Sequence, residues 1–122
     1  MNKIYLLFIL LIAISVQCFA GKRPIQIRDK GSVNNHTEHF IPADEPDVYF
    51  DNSSLEIIIE ADGFASYYDV EIYPDNSAIA VISTQISGYG DTIDVSSLPA
   101  VDYIINIYSS YNHVFEGEFA IE

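Results

Sequence analysis

Histidine, serine and carboxylate side chains are the groups in this sequence that could take part in catalysis. The only cysteine is Cys18, near the start of the chain, and no lysine or arginine follows Lys30. The region beyond Lys30 therefore has no thiolate nucleophile and no basic side chain that could bind an oxyanion or form a Schiff base. His36, His39 and His113 stand outside any nucleophile elbow or other catalytic motif. We expect a protein that is not an enzyme and that carries no cofactor.

Metal binding is the next chemistry to consider, because the sequence offers both imidazoles and clustered carboxylates. His36 and His39 flank Glu38 at a spacing that could hold a transition metal, but no second cluster of ligands matches them. Calcium prefers oxygen ligands, although no spacing here resembles a calcium loop of known type. The carboxylates that could supply such oxygens from loops are Asp44, Glu45, Asp47 and Asp51 in one group, and Asp91 and Asp94 in another. We predict no metal site, with a calcium-stabilised structural domain as an alternative.

The charge of the chain is very unevenly distributed. The formal net charge is −13, and all of the 18 acidic residues except Asp29 lie beyond Gly31, where none of the five basic residues is found. Such a body repels phosphate backbones and anionic headgroups, so we expect no nucleic-acid partner and no peripheral membrane binding. Cations, basic protein surfaces and neutral ligands remain compatible with this charge.

Four of the basic residues, Lys22, Arg23, Arg28 and Lys30, crowd into a short stretch. In one interpretation, residues 24–28 form the first strand and the charges lie against an acidic neighbour. In the other, the stretch is a mobile basic arm that docks on a partner or on another copy of the acidic body. The two differ in whether the oligomeric state depends on salt, since exposed ion pairs weaken as the Debye length shrinks.

The first twenty residues have the pattern of a secretory signal peptide. Lys3 precedes an apolar run over residues 4–16, and small residues stand three and one positions before a cleavage after Ala20. The segment before Cys18 fits lipoprotein processing poorly, so we do not expect a lipid anchor there. No second apolar run is long enough to span a bilayer. The sequence predicts a signal peptide over 1–20 and one domain over 21–122, located in the periplasm, at the cell surface or outside the cell.

Beyond residue 47 the apolar residues alternate with polar ones in short runs, and we find no helical period. We expect inward-facing rows at Leu55, Ile57 and Ile59, at Tyr68, Val70 and Ile72, at Tyr103, Ile105 and Ile107, and at Phe115, Phe119 and Ile121. Seven or eight short strands at about 8–12-residue spacing predict an all-β fold, an antiparallel immunoglobulin-like β-sandwich. Tyr103, just after Leu98-Pro99, is expected to return its hydroxyl to the backbone at a tyrosine corner.

The corner, the closing strand and an early segment together carry a resemblance to a known family. The motifs are Arg23-Pro24-Ile25, residues 93–100 (IDVSSLPA) with Tyr103, and residues 115–121 (FEGEFAI). They resemble the small secreted proteins of Bacteroides-type bacteria that are classed only as a domain of unknown function. In that family a glycine follows the Leu-Pro-Ala motif, where this chain has Val101. The resemblance implies an immunoglobulin-like fold and export to the envelope, and it implies no activity. Thr92, in an Asp-Thr-aliphatic tripeptide, is an expected O-glycosylation site if the resemblance holds.

One candidate surface emerges if the strands around residues 67–73, 103–108 and 115–121 share a sheet. Tyrosine and carboxylate side chains on its outer face could stack on sugars or meet a basic protein patch. The predicted interaction face consists of Tyr67, Asp69, Glu71, Tyr73, Asn106, Tyr108, Glu116 and Glu118. Cross-strand tyrosines also stabilise sheets without any ligand. We predict a non-enzymatic protein-interaction module with a basic protein partner, and the alternative is a carbohydrate-binding module on this face.

Overall fold

The computed structural model describes residues 21–32 and 43–122, and this part of the chain folds into nine strands without a helix. The strands are β1 Lys22–Ile25, β2 Arg28–Ser32, β3 Asp47–Asp51, β4 Glu56–Glu60, β5 Tyr67–Pro74, β6 Ile82–Ser87, β7 Gly90–Asp94, β8 Asp102–Ser109 and β9 His113–Ala120. The all-β antiparallel sandwich is therefore confirmed, with nine strands in the described residues where the sequence predicted seven or eight. Within these residues, the structure contains no helix long and apolar enough to cross a membrane.

Two sheets form the layers of the sandwich. The smaller has the strand order β1-β3-β4-β7 and the larger the order β2-β9-β8-β5-β6, and all neighbouring strands are antiparallel. The predicted strands around residues 67–73, 103–108 and 115–121 are β5, β8 and β9, which lie side by side in the larger sheet. Their outer residues consequently share one face.

The core lies between the two sheets and follows the alternation of the sequence. Each of the predicted inward rows is buried, apart from Leu55, which is partly buried against the core. Phe119 joins the sheets through its ring, whose centroid lies 5.3 Å from that of Phe50 and 5.3 Å from that of Tyr103. Aromatic pairs at this separation contribute beyond the area they bury. The period of two therefore sets both the strands and the face that each one buries.

The tyrosine corner is confirmed by a direct hydrogen bond. The hydroxyl of Tyr103 donates to the backbone carbonyl of Pro99 at 2.6 Å, and burial raises the pKa of this phenol. Val101 keeps a negative φ, whereas Leu55 and Asn112 are the non-glycine residues with a positive φ among those described. The corner thus forms without the glycine that the resembling family has at this position.

The predicted first strand over residues 24–28 is wrong, because the segment divides between the sheets. Ile25 ends β1 beside β3, and Arg28 begins β2 opposite Glu116 of β9. The chain crosses at Gln26, next to Gly117, where an added Cβ would lie 2.7 Å from the Ile25 side chain and 3.3 Å from the Gln26 carbonyl. The missing side chain at Gly117 leaves room for this crossing, which no local pattern in residues 24–28 could reveal.

Residues 78–86 are mostly apolar or β-branched, a composition typical of strands, but β6 covers only part of this stretch. β6 begins only at Ile82, opposite Ile72 of β5. The residues before it form the β5–β6 connection, in which the Ser77 N–H donates to the Pro74 carbonyl at 3.0 Å, and Ile79 is 77% exposed. These residues lie in the connection because β6 can begin only where its register with β5 begins.

Candidate binding surface

The register of the larger sheet brings the eight residues of the predicted interaction face onto one outer surface. Asp69 of β5 stands opposite Tyr108 of β8, and Glu71 stands opposite Asn106. Asn106 in turn stands opposite Glu116 of β9. The face is continuous across three strands. Its residues differ in solvent exposure and in whether their charge is paired with a basic side chain.

The centre of the face is covered by its own tyrosines. Asn106 is only 7% exposed, and its Nδ2 donates to the Tyr73 hydroxyl and, at a longer 3.5 Å, approaches the Tyr108 hydroxyl. Burial raises the pKa of Tyr73. The Asn106 Oδ1 is buried and has no hydrogen-bond partner among the described residues. Asn106 and Tyr73 therefore bond to each other, and the expectation that Asn106 would be an accessible ligand is wrong because two larger side chains lie over it.

The β9 side of the face is neutralised by the basic segment of the same chain. Lys30 Nζ lies 2.6 Å and Arg28 Nη2 lies 3.3 Å from the carboxylate of Glu116, whose side chain is 13% exposed. The hydrogen bond to Glu116 raises the pKa of Lys30. Lys22 similarly lies 3.3 Å from Glu60 in the smaller sheet. The single strand over residues 24–28 is not formed, but the expectation that the basic residues lie against acidic neighbours is supported for Lys22, Arg28 and Lys30.

The β6 side of the face contains an open, acidic groove. It encloses a volume of about 510 Å³, and its lining is formed by Asp69, Glu71, Ser83, Thr84, Gln85 and Tyr108. Gln85 Nε2 donates to Asp69 Oδ1 at 3.1 Å. Carboxylate, hydroxyl and amide groups line this groove, and no lysine or arginine of residues 21–32 and 43–122 does. We call this surface the acidic groove.

The β6 residues of the acidic groove are absent from the face predicted from the sequence. Ser83 and Gln85 stand opposite Glu71 and Asp69 in the β5–β6 register. Their alternation with Ile82 and Ile86 indicates a strand with one polar face. The run of apolar residues before Ile82 obscures this alternation in the sequence. The pairing of β6 with β5 then decides that these polar side chains join the same face.

A second polar cluster lies at one end of the sandwich, buried beneath the turns. Asp44 is 1% exposed, and both of its carboxylate oxygens lie 2.7 Å from His113 Nδ1. The Ser109 hydroxyl donates to the same carboxylate, and the Tyr68 hydroxyl donates to the Asp44 backbone carbonyl at 2.8 Å. Burial, with the charge of Asp44 as a smaller cause, raises the pKa of Tyr68 to about 12. No local sequence pattern indicates this cluster, because its members meet only through the fold.

The geometry of this cluster does not build a catalytic triad. Ser109 and His113 both bond to Asp44, so the imidazole is not placed as a general base on the serine hydroxyl. The Ser109 oxygen also accepts the Tyr111 N–H at 3.1 Å. The cluster instead provides hydrogen-bond partners for buried polar groups. Buried polar groups in proteins generally have such partners.

Two of the carboxylates considered as calcium ligands, Asp51 and Asp94, hold turns of the backbone. Asp51 accepts the N–H groups of Ser53 and Ser54, and these bonds lower its pKa. The Ser96 hydroxyl and N–H similarly lower the pKa of Asp94. Glu45 differs, since burial followed by the nearby carboxylates raises its pKa. In the described part of the chain, the structure assembles no group of three or more metal-binding side chains. His36 and His39 lie outside the described residues, as do Cys18 and the predicted signal peptide.

Thr92 lies on the exposed side of β7, which is an edge strand of the smaller sheet. It stands opposite Ile58 of β4, and its N–H is bonded to Asp91 Oδ1 at 2.8 Å. The predicted glycosylation site is thus accessible on the surface and distant from the acidic groove, which belongs to the other sheet.

Comparisons with known proteins establish the fold and no more. No protein-family model matches the chain, and no curated protein matches it. Among solved structures, it is similar to a DUF3244 family protein with an immunoglobulin-like β-sandwich fold from Bacteroides vulgatus, with a TM-score of 0.62 at 15% sequence identity. The match covers 83% of this chain and 99% of the other. The fold is an immunoglobulin-like β-sandwich. The resemblance found in the sequence is thereby confirmed at the level of structure.

Proposed function

We propose that this chain is an exported, non-enzymatic protein-interaction module of the bacterial cell envelope that binds a basic partner at the acidic groove. One contrast within a single sheet face carries the proposal. Glu116 is paired with Arg28 and Lys30 of its own chain, whereas Asp69 and Glu71 line a groove in which none of the described basic residues takes part. The charge of the groove is therefore available to a partner.

A basic protein surface is the partner that suits this groove best. Carboxylates on an accessible sheet face attract lysine and arginine side chains, and such pairs mainly raise the association rate and select the partner. The net charge of −13 extends this attraction beyond the groove. Export is supported by the signal-peptide pattern of residues 1–20 and by the absence of cysteine from residues 21–122.

The experiment that tests the proposal is a crosslinking pull-down from cell-envelope extract at low and high salt, read by mass spectrometry. The Asp69→Asn/Glu71→Gln double variant should lose a partner that the unaltered protein retains at low salt. The matched control is Asp75→Asn/Glu122→Gln, which removes the same charge from residues outside the groove lining. Equal recovery of the partner by both variants would rule out the acidic groove as its binding site.

A carbohydrate ligand is the second candidate, favoured by the mixture of groups around the acidic groove. Ser83, Thr84 and Gln85 offer hydroxyl and amide groups beside the ring of Tyr108. Such groups can bond sugar hydroxyls while the ring stacks on the sugar. Binding that is indifferent to salt and competed by free sugars would favour this ligand over a basic protein.

A further inference from the structure

Four exposed aromatic side chains gather at one end of the sandwich, and one of them, Tyr67, also belongs to the outer face of the larger sheet. Three connections meet there: residues 61–66 between β4 and β5, residues 88–89 between β6 and β7, and residues 110–112 between β8 and β9. We call this surface the aromatic end, and it consists of Phe64, Tyr67, Tyr89 and Tyr111, which are 51%, 40%, 74% and 54% exposed. The other large exposed apolar side chains of the described residues are the aliphatic Ile79, Val81 and Val101.

Two rings of the aromatic end are in contact with each other, and a third lies against the turn that holds Phe64. The ring centroids of Phe64 and Tyr111 lie 5.1 Å apart at an angle of 35°. The Tyr89 ring lies against Gly63, where an added Cβ would come within 2.5 Å of the ring. Gly63 also has a φ of +85°, a conformation that side chains disfavour. The glycine therefore lets the Tyr89 ring approach the backbone next to Phe64.

Hydrogen bonds between the turns hold this surface in place. The Gly63 N–H donates to the Gly88 carbonyl at 3.0 Å, and the Gly88 N–H donates to the Ser66 carbonyl at 3.2 Å. The Ser66 N–H in turn donates to Ser110 Oγ at 2.9 Å, and the Ser110 N–H donates to the Tyr67 carbonyl at 3.2 Å. A surface held this way loses little conformational freedom on binding, which favours affinity.

The composition of the three turns is that of a protein-binding surface. Tyrosine, serine, glycine and asparagine predominate in binding loops, because rigid aromatic rings supply contact area and small polar residues supply hydrogen bonds. Here the turns hold all four types, with Phe64 as an additional apolar ring. Exposed aromatic clusters of this kind mark interaction sites more often than scattered apolar residues do.

The charge around the aromatic end indicates which side chains the partner brings. Residues 43–122 contain no lysine or arginine, and Asp62 and Asp91 flank the turns. Aromatic faces attract cations, and the flat guanidinium group of arginine also stacks on them. A second copy of this chain would bring the same acidic surface; its Arg28 is engaged by Glu116, and binding through its exposed Arg23 would appear as concentration-dependent dimerisation. We propose that the aromatic end is a second docking surface, which binds an arginine-bearing segment of another protein independently of the acidic groove.

The test follows the backbone amide signals of the ¹⁵N-labelled protein by NMR, in the form in which cells accumulate it. The probe is the capped peptide Gly-Arg-Gly-Arg-Gly, and its matched control replaces both arginines by neutral citrulline. We expect saturable shifts in residues 62–67, 88–90 and 110–112 with the arginine peptide alone. Tyr89→Ser and Phe64→Ser/Tyr111→Ser should each weaken binding by about fivefold to tenfold, as expected for the loss of exposed cation–π contacts.

Matched variants separate this proposal from that for the acidic groove. Ile79→Ser/Val81→Ser, which alters exposed apolar residues elsewhere, and Asp69→Asn/Glu71→Gln should both leave the shifts at the aromatic end unchanged. Tyr89 is the most exposed of the four rings, so its variant tests the surface even if Phe64→Ser/Tyr111→Ser unfolds the domain. Shifts confined to the acidic groove, equal shifts with the citrulline peptide, or displacement of the arginine peptide by neutral oligosaccharides would overturn the proposal. Concentration-dependent dimerisation through Tyr89 would overturn it also.

Discussion

Asp44 and His113, 69 residues apart in the sequence, meet with each carboxylate oxygen 2.7 Å from the imidazole Nδ1. The same carboxylate accepts the Ser109 hydroxyl, and the Asp44 carbonyl accepts the Tyr68 hydroxyl. Asp44, which precedes β3, is thereby hydrogen-bonded to β5 and to the residues on either side of the β8–β9 turn. The contact links the segment that enters the smaller sheet to the larger one.

Replacement of Asp44 should destabilise the protein strongly. Asp44→Ala leaves the buried Ser109 hydroxyl and the His113 imidazole without their partner, and we expect a loss of about 1–3 kcal/mol in the free energy of unfolding. Urea denaturation measures it. Asp47→Ala, an exposed carboxylate three residues later, serves as the control and should change the midpoint little. Equal effects of the two substitutions would mean that the buried contact contributes nothing specific.

Tyr68 should make the protein sensitive to alkali. Its pKa of about 12 in the folded state lies above the ordinary value of 10.0 that it regains on unfolding. The neutral phenol therefore contributes stability that is fully present below pH 10 and is lost as the pH rises through 12. Tyr68→Phe should remove this part of the pH dependence, measured by unfolding at a series of pH values. Tyr111→Phe, on an exposed ring, should leave it in place.

Asn106 gives a second prediction in which stability falls as the pH rises, here in the acidic to neutral range. Asn106→Asp would place a carboxylate that is almost fully buried opposite Glu71 and Glu116. Burial and like charges raise the pKa of such a group, so the variant should lose about 2–4 kcal/mol at neutral pH. Stability should return as the pH falls and the new carboxyl is protonated. Asn76→Asp, in an exposed turn, is the matched control, and thermal melts at two pH values distinguish them.

Calcium should not change the melting temperature. Asp44 is bonded to His113 and Ser109, and Asp51 and Asp94 accept backbone N–H groups, so binding an ion would break contacts that hold the fold. A ligand specific for the folded state must raise its stability. Melts in millimolar calcium and in chelator should therefore coincide. A higher melting temperature in calcium would restore the calcium-stabilised domain as an explanation of the acidic composition.

Local patterns in the sequence were sufficient to predict the strands that bury one face against the core. Alternation over residues 67–73, 103–108 and 115–121 placed β5, β8 and β9 and assigned their core residues, because the side-chain period of a strand is fixed. The bond from Tyr103 to Pro99 was equally predictable, since it joins residues four positions apart. The outer residues of these strands followed from the same period.

Features that depend on distant partners were beyond this kind of reasoning. The crossing at Gln26 depends on the space left at Gly117, and the start of β6 depends on its register with Ile72. Asn106 is covered because Tyr73 reaches it from the neighbouring strand. Nothing near Asp44 in the sequence indicates that His113 will be its partner. In each case the deciding contact is made by the tertiary structure, which overrides local preference.

The pairing of β2 with β9 has a consequence for how the domain folds. Arg28 stands opposite Glu116, so an early strand completes its hydrogen bonds only with the last strand of the larger sheet. Contacts between residues so far apart are slow to form, because the intervening chain must first be ordered. A chain that emerges from its N-terminus must hold β2 unpaired until residues 113–120 arrive. During that interval the backbone N–H and C=O groups of β2 have no strand partner, and chaperones that recognise unpaired strands can bind it.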